Sequence, residues 1–119
     1  MFSIVYITTG SIEEAKQIAN RLVNEKLAAC VNMFPVTSVY RWDGIQEDSE
    51  VAMIIKTTHE QLENIEIAVK EMHSYTVPCI ISFSIDGGSR DYLDWIDDCV
   101  LPVRKNHSSD ISEETFQPE

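Results

Sequence analysis

Residues 28–58 read AACVNMFPVTSVYRWDGIQEDSEVAMIIKTT, and this stretch decides the fold because it predicts one long β-hairpin. Asp43-Gly44 is a dipeptide typical of hairpin turns, whose central residues need positive φ. The incoming strand is predicted from Ala28 to Trp42, and the returning strand from about Glu47 to Thr58. Pro35 lacks a backbone donor and therefore predicts a bulge or bend in the incoming strand.

A strand and a helix precede this hairpin, and a helix and a strand follow it. Ser11 and Glu14 form a capping box that begins the first helix, and Ser89 is the predicted N-cap of a terminal helix. From apolar periodicity we predict strands at residues 4–9 and 79–85 and helices at residues 12–26 and 62–72. The β-α-β-β-α-β order predicts a ferredoxin-like α/β (α+β) fold, with an antiparallel sheet, helices on one face and a C-terminal helix.

The hairpin is longer than the domain that carries it. At about 3.3 Å per residue its first strand would extend about 50 Å, whereas a compact chain of this length is roughly 35 Å across. The hairpin must therefore bend or protrude, exposing strand edges and the aromatic residues Tyr40 and Trp42 near its tip. Because a neighbouring subunit would cover these groups, we predict a homo-oligomer.

Composition limits the classes of partner. The 119 residues predict one domain at residues 1–105, followed by an acidic, polar tail at residues 106–119. The net charge of −11 repels phosphate backbones, so nucleic acid is not an expected partner.

No apolar run approaches the ~20 residues that span a bilayer, and the N-terminus lacks the basic region of a signal peptide. With three cysteines and no C-x-x-C pair, we expect a cytoplasmic protein with reduced thiols.

Four segments carry a family pattern: KLAACVN at 26–32, SVYRWDG at 38–44, EVAMIIKTT at 50–58 and YLDWI at 92–96. In order and spacing they resemble the CutA family of divalent-cation tolerance proteins. The resemblance implies a ferredoxin-like fold, a homotrimer whose sheets join across subunits, and a non-enzymatic role linked to copper and other divalent cations. An alternative is a trimeric signalling or scaffold module, similar to the PII proteins, that binds a small ligand or protein in clefts between subunits.

The sequence departs from the family pattern in the loop after the second helix. Ser74 and Cys79 stand where the family usually has proline and glutamate, and Ile7 stands where copper-binding relatives can have cysteine. Only His73 matches the family's metal-site pattern directly.

Met72, His73 and Cys79 are a set of soft or borderline ligands that lie near one another in the sequence. Thioether, imidazole and thiolate groups favour Cu(I) over hard cations, so these residues are a candidate metal site. The alternative is that Met72 packs in the core and His73 caps the second helix. Cys79 and His73 also suggest a nucleophilic pair, but no third orienting residue is evident, and we do not expect an enzyme.

A second candidate site comes from the resemblance. Tyr40, Trp42, Glu50, Lys56 and Tyr75 are similar to a polar and aromatic set near the subunit-interface cleft of the family. Lys56 ends an apolar strand and therefore needs a partner for its charge. Either a structural ion pair or a contact with an anion or ligand would supply one.

Overall fold

The computed structural model describes residues 1–103. The elements are β1 Phe2–Thr9, α1 Ile12–Asn24, β2 Cys30–Arg41, β3 Ile45–Thr58, α2 Leu62–Met72, β4 Ile80–Ser84 and α3 Arg90–Cys99. The strands form one sheet in the order β2-β3-β1-β4, and every neighbouring pair is antiparallel. The predicted ferredoxin-like fold is confirmed. The predicted tail at residues 106–119 lies outside the described residues.

Side-chain caps begin two of the helices where the sequence predicts them. The Ser11 hydroxyl accepts a hydrogen bond from the backbone N–H of Glu14 at 3.1 Å. The Ser89 hydroxyl does the same for the N–H of Tyr92 at 3.2 Å. Each cap satisfies a donor that the first helical turn leaves unpaired.

The sheet has two different faces because side chains alternate along each strand. On the helix side, Val5 and Ile7 of β1 and Met53 and Ile55 of β3 are at most 2% exposed. They pack against apolar residues of α1 and α2, which include Ile18, Leu22, Ile65 and Val69. The other face, which we call the open face, carries the intervening residues of the same strands.

Helix α3 packs apart from the main core. Ile96 and Val100 form a second buried cluster with Ala29, and Phe2 and Leu93 pack against it. Phe2 belongs to the open-face set of β1, so α3 covers one end of that face. The rest of the open face is left without a helix among the described residues.

The hairpin protrudes as predicted. The longest dimension of the chain is 48 Å, more than the roughly 35 Å of a compact domain. Near the tip, Val39 and Ile45 are 66% and 65% exposed although they belong to paired strands. Asp43 and Gly44 take φ angles of 54° and 95°, which are the left-handed conformations expected of this turn.

Of the bulge or bend predicted at Pro35, the bulge is not formed. The register of β2 and β3 runs from Cys30↔Lys56 to Arg41↔Ile45 without an extra residue, and Pro35 lies opposite Val51. The physical reason is that β2 is an edge strand of the sheet. An edge strand tolerates a missing N–H that faces away from its neighbour, so proline does not have to interrupt the pairing.

Candidate functional site

A cleft of about 590 Å³ lies between the outer part of the hairpin and the loop that joins α2 to β4. Strand residues form its floor and the loop forms one wall. The lining residues are Tyr6, Thr8, Ser38, Tyr40, Trp42, Glu50, Ser74, Tyr75, Thr76, Val77 and Cys79. The cleft brings together four of the five residues predicted from the polar and aromatic pattern, together with Cys79.

Strand register explains why these side chains share one surface. Thr8 of β1 lies opposite Ala52, so Glu50, two residues before Ala52, falls on the same face as Thr8. Val36 lies opposite Glu50, which places Ser38 and Tyr40 on that face too. This is the open face, because Ile7 and Thr9 on either side of Thr8 are buried against the helices.

Two tyrosine hydroxyls donate to carboxylates at the cleft. Tyr75 donates to Oε2 of Glu50 at 2.7 Å, and Tyr40 donates to Asp48. Burial, which is the larger cause, and the hydrogen bond to Glu50 raise the pKa of Tyr75 well above its usual range. The bond to Asp48 is the main cause of the raised pKa of Tyr40. Both phenols therefore remain protonated donors at neutral pH.

The wall of the cleft is anchored to the start of α1 by Glu14. This carboxylate accepts hydrogen bonds from the Ser74 N–H at 2.7 Å, the Ser74 hydroxyl at 3.2 Å and the Gly10 N–H at 3.3 Å. Burial acts to raise the pKa of Glu14, but the bonds from Ser74 and Gly10 outweigh it and lower that pKa. The Glu14 carboxylate is therefore charged while it holds the loop in place.

His73 is a structural residue of this wall. Its side chain is 0% exposed, and Nδ1 accepts a hydrogen bond from the Tyr75 N–H at 3.0 Å. Because Nδ1 is an acceptor, Nε2 carries the proton and donates to the Thr8 carbonyl oxygen at 2.8 Å. Nδ1 also lies 3.5 Å from Glu14, but without a proton it forms no ion pair. Both ring nitrogens are therefore occupied, and the ring fixes the backbone that carries Tyr75.

The structure places Met72, His73 and Cys79 in different surroundings, and their role as a metal site stays a prediction. Met72 packs against the helix-side core, whereas Cys79 lines the cleft on the open face, and His73 has no free nitrogen. Burial and then the charge of Glu50 raise the pKa of Cys79, which favours the thiol over the thiolate. Within residues 1–103 no three His, Cys, Asp or Glu side chains are grouped to hold a metal ion.

Lys56 lies away from the cleft. Its ammonium group donates to Oδ1 of Asn32 at 2.5 Å and lies 5.8 Å from the centre of the Tyr92 ring. The ion pair predicted for Lys56 is not formed within residues 1–103. Lys56 lies six positions after Glu50 in β3, which is about 20 Å along an extended strand. Contact between Lys56 and a ligand stays a prediction.

Sequence reasoning missed six of the residues that line the cleft, which are Tyr6, Thr8, Ser38, Ser74, Thr76 and Val77. A signal for the first two was present in β1, where they alternate with the apolar Val5 and Ile7. That alternation shows which residues of β1 share a face. Which residues of other strands lie beside them depends on the order of the strands in the sheet.

Fold and site together define a class of small ferredoxin-like α/β proteins with a polar, aromatic cleft on the open face of the sheet. The family model described as CutA1 divalent ion tolerance protein matches residues 3–99. The divalent-cation tolerance protein CutA of Archaeoglobus fulgidus is 50% identical over 101 residues, which cover 84% of this chain and 99% of the relative. The CutA of Thermus thermophilus is 47% identical, covering 81% of this chain and 95% of the relative. This chain belongs to the CutA1 divalent ion tolerance family.

Solved structures agree with this assignment. The structure of the A. fulgidus protein, described as periplasmic, has a TM-score of 0.83 at 49% identity and covers 85% of this chain and 100% of that chain. CutA1 of Oryza sativa has a TM-score of 0.84 at 39% identity and covers 86% of this chain and 95% of that chain. Within the part of the chain that the structure describes, no helix is long and apolar enough to cross a membrane.

Proposed function

We propose that this chain is a non-enzymatic divalent-cation tolerance protein that acts as a homotrimer and associates with copper or another divalent cation. The observation that carries the proposal is the family match over residues 3–99, which spans nearly all of the described structure. The family is named for tolerance of divalent ions rather than for a reaction. The net charge of −11 also favours cations over anions near the surface.

The uncovered part of the open face supports self-association. Ile81 and Phe83 of β4 are 50% and 53% exposed, and Phe34 of β2 is 37% exposed. Exposed apolar side chains of this kind are unfavourable in water and are typical of a subunit interface. The protruding hairpin adds the exposed edge of β2, which a neighbouring strand can pair with.

The chemistry of Cys79 supports a role without catalysis. A thiol whose pKa is raised is a weak nucleophile, because the thiolate is the reactive form. His73 cannot serve as its base while Nδ1 accepts the Tyr75 N–H and Nε2 carries a proton. The two residues therefore lack the arrangement that activates a cysteine nucleophile.

Calorimetric titration of Cu(I), Cu(II) and Zn(II) into the full chain tests the metal proposal. Binding through His73 requires the ring to give up the Thr8 or Tyr75 hydrogen bond, so we expect modest affinity and a preference for Cu(I). His73→Ala should remove most of the binding. His59→Ala is the matched control, because His59 is an exposed histidine elsewhere. Equal copper binding by the parent and both variants would place the metal at another site.

We also propose a cytoplasmic location. Cys30, Cys79 and Cys99 are all free thiols, as expected in a reducing compartment. Fractionation of cells that express the full chain tests this, and recovery with periplasmic or secreted markers would contradict it.

The alternative proposal is a PII-like trimeric module that binds a small ligand or protein. The cleft of about 590 Å³ supports this alternative, since its volume is in the range of small-molecule sites. A metal-independent ligand bound in the cleft would favour the module over the metal-tolerance role.

A further inference from the structure

The cleft has an unusual combination of lining groups. Of the eleven described residues that line it, four are aromatic, one is a carboxylate, and none is lysine, arginine or histidine. A site for phosphate or another anion would need basic side chains or converging N–H donors. The chemistry of the lining instead suits a cation with apolar parts.

Glu50 is the carboxylate of the cleft, and its charge has no cationic partner among the described residues. Its contact is the neutral hydroxyl of Tyr75. Within residues 1–103 no lysine, arginine or histidine nitrogen lies within 4.0 Å of it. Burial is the largest cause of the raised pKa of Tyr75 and of Cys79, and the charge of Glu50 is a further cause of both. Among the described residues, Glu50 therefore contributes a negative charge to the cleft that no neighbouring cation pairs with.

The aromatic residues provide a second attraction for a cation. Tyr6, Tyr40, Trp42 and Tyr75 line the same cleft as Glu50. Ring faces attract ammonium groups and also accept methylene groups by apolar contact. Val36 is paired with Glu50, and Trp42 lies six residues beyond Val36 along the hairpin, so the lining extends over about 20 Å.

A bare metal ion is a poor match for this surface. Hard divalent cations need several converging oxygen ligands, and the cleft supplies one carboxylate beside neutral hydroxyls and rings. An elongated organic cation can pair one charge with Glu50 and lay its chain along the rings. We propose that the cleft binds a linear polyamine, with an ammonium group on Glu50 and the methylene chain along Tyr40, Trp42 and Tyr75. This proposal is independent of copper binding at His73.

Calorimetric titration of spermidine into the full chain, in metal-free buffer at physiological ionic strength, tests the proposal. Glu50→Gln keeps an acceptor for the Tyr75 hydroxyl but removes the charge, and should weaken binding about tenfold. Trp42→Leu should also weaken binding, by a smaller factor. Circular dichroism and light scattering check that each variant keeps the parent fold and assembly.

The main competing explanation is general attraction of a polyamine to an acidic protein. Glu63→Gln is the matched control, because it removes the same charge from an exposed position on α2. Binding that falls equally in Glu63→Gln and Glu50→Gln would overturn the proposal, as would equal binding of the neutral probe 1,8-octanediol. The metal-free buffer separates the two proposals, because spermidine binding is measured there with no copper present.

Discussion

The two faces of β1 differ although they belong to one strand of eight residues. Val5 and Ile7 point toward the helices and are 2% and 0% exposed, whereas Tyr6 and Thr8 point the other way and line the cleft. Burial of apolar area on the helix side contributes to the stability of the chain. The open face leaves groups accessible for subunits and ligands. One strand can serve both purposes because its side chains alternate.

The open face is itself divided. Near β4 it is apolar and exposed at Ile81 and Phe83, whereas near the hairpin it is polar and acidic at Glu50 and Tyr40. The apolar part suits a second copy of the chain, and the polar part suits a soluble ligand. Substitutions on each part should therefore affect different measurements.

Phe83→Glu should have the largest effect, because a charge at a subunit interface is buried without a partner. We expect light scattering to give a particle of three times 13.5 kDa for the parent and 13.5 kDa for the variant. Ile67→Glu is the matched control, since Ile67 is similarly exposed, at 52%, but lies on α2. A parent mass of 13.5 kDa at micromolar concentration would refute the trimer.

Ile7→Ala should have the next largest effect, on stability. Ile7 is 0% exposed, and truncating such a residue leaves a cavity that lowers the free energy of unfolding by about 2–5 kcal/mol. Thr8→Ala, on the other face of the same strand, should lower it by less than about 1 kcal/mol. Urea denaturation at one fixed protein concentration measures both, and equal losses would contradict the assignment of faces.

Glu14→Gln should have a smaller, pH-dependent effect. The pKa of Glu14 is lowered in the folded state from an ordinary value of 4.5, so its contribution is present above that value and is lost as pH falls through the lowered pKa. At pH 7 we expect the variant to be about 1 kcal/mol less stable, a difference that disappears in acid. Glu13→Gln, at an exposed neighbouring position, controls for the change in net charge. A difference that persists below the lowered pKa would contradict the role of the charge.

The elements were predictable from the sequence because their signals are local. The capping groups of Ser11 and Ser89 and the turn at Asp43-Gly44 are each formed by residues within three positions of one another. Of the bulge or bend predicted at Pro35, the bulge did not form, because the consequence of a proline depends on whether its strand lies at the edge of the sheet. That position is a property of the whole sheet.

The candidate site was predictable only in part. Tyr40, Trp42, Glu50 and Tyr75 meet as the family resemblance implies, but Lys56 does not join them. The metal set of Met72, His73 and Cys79 was inferred from nearness in sequence. In three dimensions Met72, at the end of α2, lies on the helix side of the sheet, while Cys79 lies on the open face. Nearness in sequence does not indicate on which side of a sheet a residue lies.

The sequence by itself determined the order of elements, the long hairpin and the family, since these depend on periodicity, turns and motifs along the chain. Only the tertiary structure decided that His73 is a structural residue, because its hydrogen bond to the Thr8 carbonyl oxygen spans 65 positions. It also decided that Glu50 faces aromatic rings without a cationic partner within residues 1–103. Partners and local potential are set by strand order and packing, which bring together residues distant in the chain.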